Sequence, residues 1–162
     1  MNELKSDGTS SVAFTGHRFY DFSQRDVIQA RLTSAILDAY ENGFRNFISG
    51  FALGIDLMAA QLVQSLKREL PGITLTAAVP FAGQSERYNV YDKKVYSRLL
   101  KLADKVIVLS DYYYPKCFLD RDEFMVENAS CLIAYYDGRE RGGTYYTVKK
   151  ARARGIPIIN VY

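Results

Sequence analysis

Apolar residues fall along this chain in two alternating rhythms. Short, nearly continuous apolar or β-branched runs occupy 12–15, 46–49, 74–79, 105–109, 131–136 and 157–161. Runs without polar alternation are characteristic of strands buried on both faces. Between them lie longer stretches with helical spacing at 24–41, 56–70, 86–103 and 144–154, and a shorter one at 120–129. The second is the clearest, because Ile55, Met58, Ala59, Leu62, Val63 and Leu66 form one apolar stripe facing a sheet. Pro71-Gly72 stops that helix, and Asn42-Gly43 and Gly155 close the first and last ones. Six strands alternating with helices predict right-handed βαβ units. The expected fold class is α/β, a doubly wound, mostly parallel six-stranded sheet with helices on both faces. Repeats, low-complexity tracts and linkers are absent from the pattern. The expected organisation is a flexible polar leader over 1–11 and a single domain over 12–162.

Composition narrows the chemistry. The chain has 162 residues, 48% hydrophobic and 14% aromatic, enough to build a core without disulfide or metal support. It has one His and two Cys, Cys117 and Cys131, with neither CxxC nor HExxH spacing, so no metal site is expected. Any enzyme chemistry must rest on that histidine, on carboxylates, on Arg or Tyr, or on backbone groups. The longest apolar run, 131–136, is far short of the ~18 residues a membrane span requires, so no membrane partner is expected. Two free cysteines and a polar start without a secretion signal fit a cytoplasmic location.

Charge is unevenly spread. Arg139, Arg141, Lys149, Lys150, Arg152 and Arg154 stand against Glu140 alone, so the last segment is more basic than the whole chain at +3. Such asymmetry suits an anion-facing surface. It also suits a helix whose last turns complement its dipole.

In an open parallel sheet, ligands bind beyond the carboxyl ends of the strands, so chemistry is sought just after each one. After the first strand stands Thr15-Gly16-His17-Arg18, where glycine bares amides and arginine offers a planar fork for anionic oxygens. The same residues would serve as a plain turn with a surface arginine. After the second comes Ser49-Gly50-Phe51-Ala52-Leu53-Gly54-Ile55-Asp56, running straight into the amphipathic helix. Its amides and the helix N-terminus suit a phosphate, although it is neither a GxGxxG nor a Walker loop. Asp56 reads as a helix cap or as a group facing a ribose hydroxyl. After the fifth, Gly142-Gly143-Thr144 opens a helix beside Arg139 and Arg141, either as a third phosphate cradle or as a capped surface turn. The segment 112–123 holds Tyr112, Tyr113, Tyr114 and Phe118 beside Lys116 and Arg121. These rings would stack a base, fill a satellite core, or form the face of a homodimer.

With these residues in view, the chain resembles the SLOG superfamily (Smf/DprA and LOG-like Rossmannoid domains), and within it the YpsA/YoqJ-like family of bacterial and phage proteins. The resemblance runs from Val12 to Val161. It is carried by Thr15-Gly16-His17-Arg18, by Ser49-Gly50-x-Ala52-x-Gly54-Ile55-Asp56, by Pro80-Phe81, by Arg121 with Met125-Val126, and by Gly142-Gly143-Thr144. It implies a Rossmann-like sheet whose glycine loops face a nucleotide-sized ligand. LOG proteins release a base from a nucleoside monophosphate, using an Arg-Lys-x-x-Met pattern and a Gly-Gly-x-Gly-Thr loop followed by a catalytic Glu. This chain departs from them twice: Asp122 stands at the Lys position, and Tyr145, Tyr146 and Thr147 follow Thr144 where the acid belongs.

The expectation drawn is a module that binds or senses a nucleotide or nucleotide-derived small molecule. Its site residues are Thr15, Gly16, His17, Arg18, Ser49, Gly50, Gly54, Asp56, Arg121, Gly142, Gly143 and Thr144. No cofactor is firmly implied, and AMP, ADP-ribose or an NAD-like molecule is the ligand in view. One alternative is an N-glycosidic or phosphate hydrolase that recruits Glu86, Glu123 or Asp56 as its acid. Another is a DprA-like single-strand binder, but the small basic tail and the negative balance elsewhere argue against a nucleic-acid partner.

Overall fold

The computed structural model describes residues 10–162. Its strands are β1 (Ser11–Gly16), β2 (Asn46–Ser49), β3 (Thr74–Val79), β4 (Lys105–Val108), β5 (Cys131–Tyr135) and β6 (Ile158–Asn160). Its helices are α1 (Arg25–Glu41), α2 (Ile55–Ser65), α3 (Val90–Leu102), α4 (Cys117–Glu127) and α5 (Gly142–Ala153), with a short 3-10 turn at Phe22–Gln24. All neighbouring strands pair in parallel, in the order β4-β3-β2-β1-β5-β6. Val12 in the centre is flanked by Phe47 of β2 and Cys131 of β5.

The pleat sends alternate side chains into two cores. Val12 and Phe14 of β1, with Cys131 and Ile133 of β5, pack under Leu32 and Ile36 of α1, Ala59 and Val63 of α2, and Leu99 of α3. Ala13, Leu132 and Ala134 face the other way, against Met125 and Val126 of α4 and Val148 and Ala151 of α5. The result is the doubly wound three-layer α/β fold that the run pattern predicts, with the Rossmann-like sheet that the resemblance implies.

The differences are local and have physical causes. β4 is an edge strand with Val106 and Val108 exposed by 41% and 48%, although its run reads as buried on both faces. A continuous apolar run cannot report which strand lies at the edge. α2 stops at Ser65, and 66–70 continue as turns rather than helix. α3 starts at Val90, not 86, because Asn89 caps it by accepting a hydrogen bond from the Asp92 N–H. Glu86 therefore sits in a loop and is not a first-turn helix acid. α4 begins at Cys117, three residues before the expected start, and α5 at Gly142, so Thr144 lies inside the helix and does not cap it. Of the predicted leader, Ser11 is the buried first residue of β1, and 1–9 lie outside the described residues. Among the described residues no helix is long and apolar enough to cross a membrane.

Candidate functional site

The chain lays β2, β3 and β4 successively on one side of β1, then places β5 on the other. The loops leaving β1 and β5 lead to helices in opposite layers, which opens a crevice between them. A cavity of about 410 Å³ lies there. Its walls come from Thr15 to Arg18 after β1, from Ala52 and Asp56 at the start of α2, from Phe118 to Asp122 on α4, and from Arg141 to Thr144 at the start of α5.

Nine of the residues singled out in the sequence line this one cavity: Thr15, Gly16, His17, Arg18, Asp56, Arg121, Gly142, Gly143 and Thr144. Ser49, Gly50 and Gly54 stand behind its wall. The Ser49 hydroxyl donates to the Asp56 carbonyl and accepts from the Phe51 N–H. The Gly50 carbonyl accepts from Arg121 Nη1 at 2.6 Å and from the Gln84 amide at 2.9 Å. A Cβ on Gly50 would stand 2.7 Å from Arg121 Nη1 and 2.8 Å from Asp56 Oδ2, so only glycine leaves room for the guanidinium and the carboxyl. The loop expected to cradle a phosphate is therefore committed to holding Arg121 and Asp56.

Asp56 is not the helix cap. Gly54 occupies that position without a side-chain bond, and the Asp56 carboxyl is 7% exposed. Burial pushes its pKa up to about 7, partly opposed by the Arg121 charge and by a backbone hydrogen bond from Ala52. Arg121, 4% exposed, also donates through Nε to Asp122 Oδ1 at 2.8 Å. Burial works against the Arg121 cation, and the neighbouring Asp122 and Asp56 more than restore it, so its pKa stays raised. Burial likewise pushes the Asp122 carboxyl up, against the pull of Arg121.

Above this buried floor the walls are cationic. Arg18 and Arg141 make no ion pair among the described residues. The Arg18 guanidinium instead lies 5.3 Å from the centre of the Phe118 ring. Part of the basic tail is engaged elsewhere: Arg139 pairs with Asp137 at 3.5 Å, Lys150 with Glu123 at 3.7 Å, and Lys149 lies over Tyr145. His17 lines the cavity and accepts through Nε2 from the Asp137 N–H at 3.1 Å, with Asp137 Oδ1 at 3.3 Å. The first contact uses the lone pair of neutral imidazole, and the second would pair with its protonated form.

Two of the three candidate acids are elsewhere. Glu123 faces α5, where it accepts from the Tyr146 hydroxyl at 3.3 Å. Glu86 is exposed and lines a neighbouring cavity. Asp122 and Gln84 escaped the sequence reading as site residues. Asp122 had a signal, an acid directly beside the key arginine. Gln84 had none, because its links to Gly50 and to the Tyr96 hydroxyl exist only in three dimensions.

The family model described as the YspA SLOG family matches residues 12–155, and the chain belongs to that family. A UPF0398 protein of Bacillus pumilus (strain SAFR-032) is 29% identical over 149 residues, covering 86% of this chain and 80% of the relative. A UPF0398 protein of Bacillus cereus (strain B4264) is 28% identical over 153 residues, covering 89% and 83%. Among solved structures, DNA processing protein A (DprA) from Streptococcus pneumoniae superposes with a TM-score of 0.64 at 19% identity, covering 97% of this chain. This chain spans 50% of that protein's length. DprA from Helicobacter pylori, described for its single-stranded DNA binding mode, also gives 0.64 at 19% identity, over 96% of this chain and 66% of the other. At these identities the structures share the fold.

Proposed function

We propose that this member of the YspA SLOG family binds a nucleotide or nucleotide-derived small molecule, such as AMP, ADP-ribose or an NAD-like molecule, in the crevice between the β1 and β5 loops. The observation that carries this reading is the meeting of the α5 N-terminus with two arginines free of ion partners, Arg18 and Arg141, over one cavity. The first amides of a helix point outward unpaired and its dipole favours negative charge, so a phosphate at Gly142 to Thr144 gains both. The cavity volume lies within the ordinary range for small-molecule sites. Asp56 and His17 are positioned to meet hydroxyls of a sugar. Calorimetric titration of AMP, ADP-ribose, NAD and cyclic nucleotides into wild type and Arg141→Ala tests the reading. It requires a ligand tighter than millimolar that the variant weakens, and silence from all four would sink it.

A second reading, hydrolysis of an N-glycosidic or phosphate bond, has one observation in its favour. A carboxyl with a pKa pushed up to about 7 at a cavity wall suits a proton donor near neutral pH. Free base released from nucleoside monophosphates, and abolished by Asp56→Asn, would establish it. The charge argument against a nucleic-acid partner is weakened by the fold shared with a single-stranded DNA binder. Gel-shift titration at low and physiological salt measures that directly, and tight, steeply salt-dependent binding would replace the small-molecule reading.

A further inference from the structure

A second cavity, of about 520 Å³, opens beside the first at the ends of β3 and β4. The two share Arg18 and Phe118 as lining residues, so they are neighbouring compartments of one crevice. The character of the second is different. Phe81, Tyr113 and Phe118 stand around it, with the Phe81 ring edge-on to Tyr113 at 5.6 Å and to Phe118 at 6.1 Å. None of the three belongs to either hydrophobic core, and Tyr113 is 60% exposed. Glu86 and Arg87 also line it, and the exposed Glu86 makes no ion pair among the described residues. Gly83 gives its carboxylate room, since a Cβ there would lie 2.9 Å from Glu86 Oε1.

Aromatic rings that line an open cavity next to a cation offer a stacking platform for a flat ring system. A carboxylate at its rim accepts hydrogen bonds and repels carbonyl oxygens, so it selects a ring that carries an amino group. We propose that this second cavity is the base subsite of the ligand, built for an aminopurine. The base lies against Phe81 and Tyr113 with its amino edge toward Glu86, and the phosphate passes Arg18 into the first cavity. This assignment rests on the nucleotide reading above and adds to it where the base lies and which residues select its amino group.

The experiment titrates AMP, IMP and ribose 5-phosphate into wild type, Tyr113→Ala, Phe81→Leu and Glu86→Gln, with circular dichroism to verify folding. Each aromatic variant should weaken AMP about tenfold or more while leaving ribose 5-phosphate unchanged. Wild type should prefer AMP to IMP, and Glu86→Gln should narrow that preference. Because the chain contains no tryptophan, Tyr113→Trp supplies a single reporter whose fluorescence AMP should quench and ribose 5-phosphate should not. Wild-type AMP affinity in both aromatic variants, or equal loss of AMP and ribose 5-phosphate, would overturn the base subsite and leave the nucleotide reading standing. Failure of wild type to bind AMP would overturn the base subsite, and silence from ADP-ribose, NAD and cyclic nucleotides as well would overturn both.

Discussion

Arg121 on α4 donates to the carbonyl oxygen of Gly50, 71 residues earlier in the chain, at 2.6 Å. That bond joins one helical layer to the β2–α2 loop and sets the Arg121 charge beside Asp56, so the buried floor of the cavity is also a structural tie. Replacing Arg121 with Met would leave the buried Asp122 carboxyl without its cation and the Gly50 carbonyl with Gln84 as its remaining side-chain donor. Loss of one member of a buried pair costs about 3–5 kcal/mol. Urea denaturation of Arg121→Met should show a loss of that order, and a change below about 1 kcal/mol would mean the tie is dispensable. Arg121 is for this reason a poor probe of binding alone.

Gly54 sits at the start of α2 with φ +83°, where a Cβ would come within 2.4 Å of the Arg18 carbonyl oxygen and 2.6 Å of that of His17. The β1 loop rests directly on it, and the Ile55 N–H also donates to the His17 carbonyl at 3.3 Å. Gly54→Ala should therefore destabilise by more than the roughly 1–3 kcal/mol of backbone strain alone, and should displace the cavity wall. Thermal unfolding and ligand titration report the two effects together. A variant as stable as wild type would show that the loop yields freely.

Asp56 makes folding pH-dependent in the direction opposite to most carboxylates. Burial pushes its folded pKa up to about 7 from the ordinary carboxyl value of 3.8. Its contribution is thus fully present below about pH 4, declines as pH rises toward 7, and stays low above. Asp104 and Asp137, whose pKa values are lowered by their hydrogen bonds and cationic neighbours, work in the opposite sense and lose their contribution in acid. The clean observable is the difference between wild type and Asp56→Asn across pH 4 to 8. The variant should gain on wild type as pH rises through that window, and parallel curves would refute the buried, protonated carboxyl.

Arg141 is exposed and free of ion partners among the described residues, so Arg141→Ala should leave stability within about 0.5 kcal/mol. Affinity for a phosphorylated ligand should fall about tenfold, with a shallower dependence on salt. Equal affinity at all salt concentrations would remove Arg141 from the anion site.

Glu123 provides the contrasting case. Its partners, Tyr146 and Lys150, lie on α5, and the ion pair is partly exposed at 3.7 Å. Glu123→Gln should change stability by less than about 1 kcal/mol and leave ligand affinity untouched. A loss of turnover in this variant would reinstate it as a candidate acid.

The sequence was informative where chemistry is local. Strand runs, glycine-marked helix ends and the glycine or arginine residues that follow strands each depend on a few adjacent residues, and they placed the sheet and the loops after β1, β2 and β5. It was less informative where one backbone had to meet another. Gly50 and Gly54 read as phosphate-binding glycines, yet the first makes room for Arg121 and the second for the β1 loop. Glu86 and Glu123 read as equivalents of Asp56, but a capping asparagine shortens α3 and leaves Glu86 in a loop, while the turn of α4 points Glu123 at α5.

By itself, the order of residues determined an α/β chain of six strands and the positions of its loop glycines, because hydrophobic period and backbone freedom are properties of short segments. Strand order, which brings the β1 and β5 loops to a single crevice, was decided only in the tertiary structure. So was the burial that pushes Asp56 up to about 7 and locks Arg121 in place. The physical reason is that a carboxylate and a guanidinium acquire their charge state and their partners from the dielectric and the groups around them. Those surroundings are supplied here by residues tens of positions away.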